Sequence, residues 1–184
     1  MTCCRGRRSG PSNGDPHGPN SLENYSIIHH KRLEDLSYFV IADDVEFDIL
    51  GDSVRIKGRL WCAHGLFVDV SKELEFVDDT LVRTKNYAYH AGVAGEQDRC
   101  VFRYDNFDQK AGHPDKHHCH RFNPETWGEI MPEVPISADL WPHLSDAVEE
   151  LAEWWAEVGV QLLPDVGDDL SAREIYRLER EIDS

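Results

Sequence analysis

The sequence predicts an α+β fold in which an antiparallel meander sheet of four to six strands is covered on one face by helices. Four consecutive segments between residues 54 and 105 alternate apolar and polar side chains with the period of two that half-buried strands show. A later segment, residues 144–158, places its apolar residues along one face of a helix, and such a face needs a surface to pack against.

Length and composition set the domain organisation. A chain of 184 residues with 40% hydrophobic residues suits one domain with a substantial core. Residues 1–20 are rich in Gly, Pro, Ser and Asn, so we expect them to form a disordered tail. We assign residues 21–160 to a single α+β domain and residues 161–184 to a C-terminal helical extension.

The four alternating segments are expected to form the centre of the sheet. Short linkers separate them, which predicts that neighbours in sequence are neighbours in the sheet: Val54 to Cys62, Leu66 to Phe76, Thr80 to Ala91 and Arg99 to Asp105. In the preceding region, the pattern of apolar residues suggests a helix around residues 33–42 and a short strand near residues 45–50, without deciding between helix and strand by periodicity.

Two helices are expected after the sheet. The apolar stripe of residues 144–158 is typical of a helix that faces the core, with Gly159 as its stop. A final helix begins at the capping box Ser171 to Glu174 and carries only a narrow apolar stripe. Such a stripe suits a partner, so residues 170–184 are expected to contact a second copy of the chain or another protein.

Charge and cysteine content restrict the class of protein. The net charge of −16 counts against general nucleic-acid binding, because affinity for nucleic acid comes from neutralising phosphates, and any such site must be locally basic. An acidic, lysine-poor composition also suits a halophile, although ordinary acidic proteins share it. The odd count of five cysteines does not make a disulfide framework. Without a signal-peptide or membrane-span pattern, we expect a cytoplasmic protein.

One face of the predicted sheet is basic and aromatic. Strict alternation places seven candidate substrate-binding residues on it, namely Arg55, Lys57, Arg59, Arg83, Lys85, Tyr87 and Tyr89. Cations beside aromatic rings suit an anion with bases that stack, and RNA is the natural candidate. Alternatively, Asp69, Glu73 and Glu75 on the same face neutralise these cations as cross-strand ion pairs. The sequence leaves both interpretations open.

A histidine-rich loop follows the fourth strand and contains His113, His117, His118 and His120. Imidazole changes charge near neutral pH, so such a cluster suits acid–base chemistry. Imidazole also binds transition metals, and these four residues form the candidate metal site for zinc or a similar divalent ion. Their spacing matches no recognised zinc motif. Both chemistries therefore remain candidates.

A metal-free ribonuclease site needs a base, an acid and a cation that stabilises the crowded phosphorane. The histidine loop supplies the first two, and we expect His90, Arg103 and Asp105, at or near the ends of their strands, to complete the catalytic set. Asp105 either orients an imidazole, as carboxylates do in triads, or caps the turn after its strand. No cofactor is expected for this chemistry.

Three short segments follow one another in a characteristic order, Tyr87-Ala88-Tyr89-His90, then Phe102-Arg103-Tyr104-Asp105-Asn106, then His113-Pro114 with His117-His118-Cys119-His120. In combination they resemble the TumE-like toxins of prokaryotic type II toxin–antitoxin systems. The resemblance runs roughly from Val54 to Trp155. The chain departs from the family pattern where residues 107–112 separate the Asp-Asn pair from His113, which makes the role of His113 less certain than that of the later histidines.

The resemblance implies a small toxin that pairs with a helix-turn-helix antitoxin and has RNA as its expected target. Our leading hypothesis is therefore an endoribonuclease toxin that uses histidine acid–base catalysis. One alternative is a nuclease or phosphodiesterase that depends on a divalent metal such as zinc. A second alternative is a non-enzymatic acidic adaptor or metal-binding protein. The C-terminal segment, residues 170–184, lies outside the resemblance and is a candidate contact for the antitoxin.

Overall fold

A single antiparallel sheet dominates the fold. The computed structural model describes residues 18–95, 97–106, 117–136 and 141–163, and the sheet within these ranges has nine strands. The strands are β1 (Asn20–Ser21), β2 (Val40–Asp43), β3 (Glu46–Leu50), β4 (Ser53–Cys62), β5 (Leu66–Phe76), β6 (Leu81–Val93), β7 (Arg99–Asp105), β8 (His118–Phe122) and β9 (Glu129–Pro135). The helices are α1 (Leu22–Asp35), α2 (Leu144–Trp154) and α3 (Val160–Leu162), with a π-helical turn at Trp155–Gly159 and a 3-10 turn at Ala63–Gly65.

The strands form a meander in the order β2-β4-β5-β6-β7-β8-β9, and every neighbouring pair is antiparallel. Short strands β3 and β1 pair with the first part of β4 and with the start of β6. The α+β class is confirmed, and the four expected strands are β4 to β7. The expected four to six strands are too few, because short edge strands carry little periodic signal. Edge strand β9 even contains Pro132 and Pro135, which edge positions tolerate.

The first helix differs from the sequence expectation, and the ends of the chain lie outside the described residues. Helix α1 runs from Leu22 to Asp35, and the side chain of Ser21 accepts a hydrogen bond from the backbone N–H of Asn24. The expected helix over residues 33–42 is therefore wrong beyond Asp35, since strand β2 begins at Val40. Residues 1–17 and 164–184 lie outside the described residues, so the tail, the extension and the contact through residues 170–184 stay predictions. No described helix combines the length and the apolar character that a membrane span requires.

The core lies between the helices and one face of the sheet, which we call the helix-covered face. Alternate residues of β4 and β5 point to it, and helix α2 packs on β5 and β6. Fully buried side chains from both layers meet there, including Ile56, Leu74, Phe102, Val148 and Leu151. The opposite side of the sheet carries most of the charged residues, and we call it the polar face.

A β-bulge in β6 changes which face its aromatic residues occupy. The residues on either side of Lys85 pair with successive residues of β5, so Lys85 is an extra residue in its strand. Beyond the bulge the alternation is reversed, and Tyr87 and Tyr89 point to the helix-covered face, where both are buried. The prediction that Tyr87 and Tyr89 lie on the basic face is wrong, because it assumes unbroken alternation along the strand.

A cavity of about 40 Å³ lies between α1, the start of α2 and the helix-covered face of the sheet. We call it the Lys72 pocket after the buried lysine that lines it. Its polar lining includes Tyr25, His29, Arg32, Lys72, Tyr89 and His143.

The histidines of the Lys72 pocket predict a pH dependence of stability. Burial lowers the pKa of His29 to about 4, helped by the charges of His30 and Lys72. Burial lowers the pKa of His143 to about 3, helped by Arg32 and Lys72. As the pH falls, these histidines take up protons in the unfolded chain at a higher pH than in the folded protein. They therefore do not lower the free energy of unfolding above about pH 6.5. Between about pH 6.5 and pH 4, each lowers it by up to about 1.4 kcal/mol per pH unit.

Urea denaturation at several pH values between 7.5 and about 4.5 tests this prediction. The free energy of unfolding should fall less steeply with decreasing pH in a His29→Gln/His143→Gln variant than in the wild type. Equal slopes in the two proteins would show that these histidines titrate normally.

Candidate functional site

Two rows of side chains cross the polar face of the sheet. In the first row, Arg103 of β7 pairs with His90 on one side and with His120 on the other. In the second row, Asp105 pairs with His118. Residues two apart on a strand share a face, so Arg103 and Asp105 point to the same side, as do His118 and His120. With His90, five side chains therefore lie on the polar face. Register between strands, rather than proximity in sequence, therefore assembles the site.

Asp105 is the centre of this arrangement. Its side chain is 6% exposed, and its Oδ1 accepts a hydrogen bond from His118 Nε2 at 2.9 Å. Its Oδ2 accepts one from Arg103 Nε at 2.8 Å. A buried carboxylate needs such charged or polar donors, because an unpaired one is strongly disfavoured. Asp105 therefore orients both neighbours, which supports the triad-like interpretation and not the turn cap.

His120 is held in a single tautomer by two further contacts. Arg103 Nη2 lies 2.8 Å from His120 Nε2, and a guanidinium can only donate, so this ring nitrogen accepts. The proton therefore sits on Nδ1, which donates to Glu129 Oε1 at 2.5 Å. We call the five residues linked in this way the histidine cluster, namely Arg103, Asp105, His118, His120 and Glu129.

The histidine cluster combines a buried interior with an accessible edge. The side chains of His118 and His120 are 10% and 8% exposed, and their ring centroids are 4.8 Å apart. Arg103 is 42% exposed and Glu129 is 38% exposed. An anion can therefore reach the guanidinium from solvent, while the imidazoles behind it are shielded from water.

His90 lies beside the histidine cluster on the polar face. It pairs across the strands with Arg103 and with Asp69, and its ring meets Phe67 edge-on with 5.8 Å between centroids. Burial lowers the pKa of His90, and the positive charges of Arg103 and Arg59 add to this effect against the opposing carboxylates. Burial therefore favours the neutral form of His90 beside the cluster.

The structure separates His117 from the other two described histidines of the expected loop. Residues 118–122 form strand β8, and His117, which precedes this strand, lies against Tyr87 of the helix-covered face. Its ring stacks on Tyr87 and meets Trp141 edge-on, with centroid distances of 5.8 Å and 4.5 Å. The structure therefore does not bring His117 together with His118 and His120. His113 lies outside the described residues.

The cations predicted for the polar face are there, but they are paired with acids. Bidentate contacts join Arg59 to Asp69 at 2.6 and 2.9 Å. Similar ion pairs are Arg55–Asp48, Arg59–Asp98, Arg83–Glu75 and Lys85–Glu73. The cross-strand pairing that the sequence left open is therefore confirmed for Asp69, Glu73 and Glu75. Lys57 lies on the same face and is exposed.

The sequence missed two features of this face. Glu129 reaches His120 from β9, through a strand pairing that no local pattern indicates. Trp61 and Phe67 also lie on this face, but both are buried, and the guanidinium carbon of Arg59 lies over them, 3.8 Å from the Phe67 ring centroid. The Arg-x-Trp spacing of residues 59 and 61 places both on one face and is the only local signal for this contact.

The histidine cluster also offers a set of metal donors. One ligand atom each from Asp105, His118 and His120 lies within 4.8 Å of the others. Two imidazoles and a carboxylate form a set that zinc accepts. However, the guanidinium of Arg103 contacts both Asp105 and His120, so a positive charge already occupies this side of the donors.

Comparison with known proteins identifies the family of the chain. The sequence model of the family described as Toxin TumE matches residues 24–160. This chain belongs to the TumE toxin family. The matched region of this TumE protein contains the whole histidine cluster and the sheet from β2 to β9. Neither the curated proteins nor the solved structures contain a match.

Membership in the TumE family confirms the resemblance seen in the sequence. It supports a toxin role, and a toxin family in turn implies an antitoxin partner. The matched range ends at Val160, so the C-terminal segment of this TumE protein lies beyond it.

Proposed function

We propose that this TumE protein is an endoribonuclease toxin that cleaves RNA by histidine acid–base catalysis in the histidine cluster. One observation carries the proposal. A buried carboxylate, Asp105, is bonded at the same time to an imidazole and to a guanidinium whose outer edge is exposed. This combination of acid–base groups and a cation is what phosphodiester cleavage requires.

The proposed reaction is transfer of the phosphoryl group to the adjacent 2′-hydroxyl. One imidazole removes the 2′-hydroxyl proton, the 2′-oxygen bonds to phosphorus, and the bond to the 5′-oxygen breaks. The second imidazole delivers a proton to that leaving oxygen. His118 and His120 are the proposed base and acid, without an order assigned between them. Arg103 stabilises the charge of the phosphorane, and Asp105 and Glu129 act as positioning residues.

Substrate binding is proposed to use the cations of the polar face. The ion pairs of Arg55, Arg83 and Lys85 have about half-exposed cations, and exposed pairs contribute only about 0–1 kcal/mol, so their acids can be exchanged for RNA phosphates. Arg59 is 25% exposed and is held more firmly by Asp69 and Asp98. The proposed contacts are Arg55, Lys57, Arg59, Arg83 and Lys85. Tyr87 and Tyr89 have no part in this surface, because they are buried on the other face. From the resemblance alone, we further propose that the antitoxin is a helix-turn-helix protein.

Two single substitutions test the assignment of the catalytic histidines. Expression of a His120→Gln variant is expected to permit growth that the wild type arrests, because general acid–base catalysis contributes about 10²- to 10⁴-fold. The matched control is His117→Gln, which changes the same residue type on the opposite face and should retain toxicity. Growth curves at equal protein levels provide the measurement. Retained toxicity of His120→Gln, or equal loss in both variants, would contradict the assignment.

A metal-dependent nuclease is the second candidate, because Asp105, His118 and His120 can hold one ion. The positive charge of Arg103 beside the same donors favours the metal-free mechanism. We therefore expect RNA cleavage to persist in excess EDTA and to remain unchanged on addition of zinc. Activity that EDTA abolishes and zinc restores would establish the metal-dependent alternative.

A further inference from the structure

The Lys72 pocket is a second polar site, on the opposite face of the sheet from the histidine cluster. Lys72 lies in the middle of β5, where it pairs with Ile56 on one side and Tyr87 on the other. It is only 7% exposed, and its Nζ lies 5.0 Å from the centroid of the Tyr25 ring. A lysine so deep in a core is unusual, because burial disfavours its charge unless nearby groups compensate.

The lining of the pocket is cationic in a protein of net charge −16. Arg32 of α1 joins Lys72 there, and both contribute to lowering the pKa of His143. Among the described residues that line the cavity, none is acidic. The neighbouring carboxylate of Asp146 is outside this lining, where it accepts a hydrogen bond from the backbone N–H of His143 at 2.8 Å and interacts electrostatically with Arg32.

Two buried polar atoms of this lining make no hydrogen bond within the described residues. The hydroxyl of Tyr89 is buried and makes no hydrogen bond to any described residue, although Tyr89 itself is 1% exposed and lines the pocket. The Nε2 atom of His29 is likewise buried and makes no hydrogen bond within the described part of the chain. Buried polar atoms are normally satisfied, so both atoms point to a polar occupant.

We propose that the Lys72 pocket binds a small oxyanion of the phosphate type. Two cationic side chains supply the charge, and the Tyr89 hydroxyl supplies a directed donor. A cavity of about 40 Å³ is large enough for a few water molecules or for one group of this size. The anion ties α1 and the start of α2 to strand β5. The proposal does not depend on RNA cleavage, because the pocket and the histidine cluster lie on different faces.

Thermal denaturation with inorganic phosphate tests the proposal, with sodium chloride used to hold the ionic strength constant. The Tm of the wild type should rise by about 4 °C when phosphate exceeds its Kd about tenfold. Lys72→Met removes the charge but keeps the volume, and should abolish the rise. Tyr89→Phe removes only the hydroxyl and should reduce it. Lys31→Met makes the same substitution at an exposed position of α1 and should keep the full rise.

Isothermal titration calorimetry with phosphate provides a second measurement on the same proteins. The expected result is a binding site that is present in the wild type and in Lys31→Met and is absent from Lys72→Met, whatever weaker binding the polar face adds in all three proteins. If Lys72→Met does not unfold cooperatively, the comparison of Tyr89→Phe with the wild type decides instead. The proposal would be overturned if phosphate did not stabilise the wild type. It would also be overturned if phosphate stabilised Tyr89→Phe and Lys72→Met as much as the wild type. Water would then be the occupant of the pocket.

Discussion

Replacing Asp105 with Asn is expected to reduce RNA cleavage and growth inhibition by about 10²- to 10⁴-fold, as the loss of an orienting carboxylate does in catalytic triads. The amide has the same shape but lacks the negative charge. It also presents an NH₂ group toward one of two donors, His118 Nε2 or Arg103 Nε, so one of these contacts is lost. Cleavage rates of the purified variant and growth curves at equal expression provide the measurement.

A matched control separates this effect from a general loss of acidic charge. Asp48→Asn makes the same change in an exposed ion pair, where Asp48 accepts from Arg55 at 2.8 Å. We expect less than about a threefold change in activity for this variant, because exposed pairs contribute little. Wild-type activity of Asp105→Asn, with the protein folded, would exclude Asp105 as a positioning residue.

Replacing Tyr87 with Ala is expected to lower the free energy of unfolding by about 3–5 kcal/mol, as truncation of large core aromatic residues does. Tyr87 is fully buried, and its ring packs against Tyr89 and Trp141 with centroid distances of 5.1 and 5.4 Å. Urea denaturation followed by circular dichroism measures the loss. The result distinguishes a core residue from a base-stacking residue of the polar face.

The matched control for this prediction is Tyr38→Ala, since Tyr38 is 71% exposed. Its free energy of unfolding should change by less than about 0.5 kcal/mol. A Tyr87→Ala variant as stable as the wild type but defective in RNA binding would instead restore the surface position that strict alternation predicted.

Much of the sheet could be predicted because most residues of β4 and β5 alternate between the buried helix-covered face and the more exposed polar face. The reversal in β6 could not, because the bulge adds one residue in a stretch, Lys85-Asn86, where either neighbour suits a polar surface. A pattern of two polar residues in succession is compatible with a bulge, a strand end or a turn. Only the pairing with β5 decides among them, and that pairing is a tertiary property.

The sequence predicts the types of residue in the candidate site better than it predicts which individual residues come together there. Arg103 and Asp105 end one strand, and His118 and His120 follow in sequence, so their chemistry was visible before their geometry. The sequence could not separate His117 from His118 and His120, because a segment interpreted as a loop has no defined faces, whereas His117 precedes strand β8 and lies against Tyr87. Glu129 joins the cluster only through the pairing of β8 with β9.

The most direct test of the histidine cluster is the end chemistry of RNA cleaved by the purified protein in excess EDTA. Attack by the 2′-hydroxyl predicts fragments with 2′,3′-cyclic phosphate and 5′-hydroxyl ends, formed by the wild type and by His117→Gln but not by His120→Gln. Fragments with 5′-phosphate ends, or equal cleavage by His120→Gln, would contradict the mechanism. Failure of the growth-arresting wild-type protein to cleave any RNA would contradict the proposed function itself.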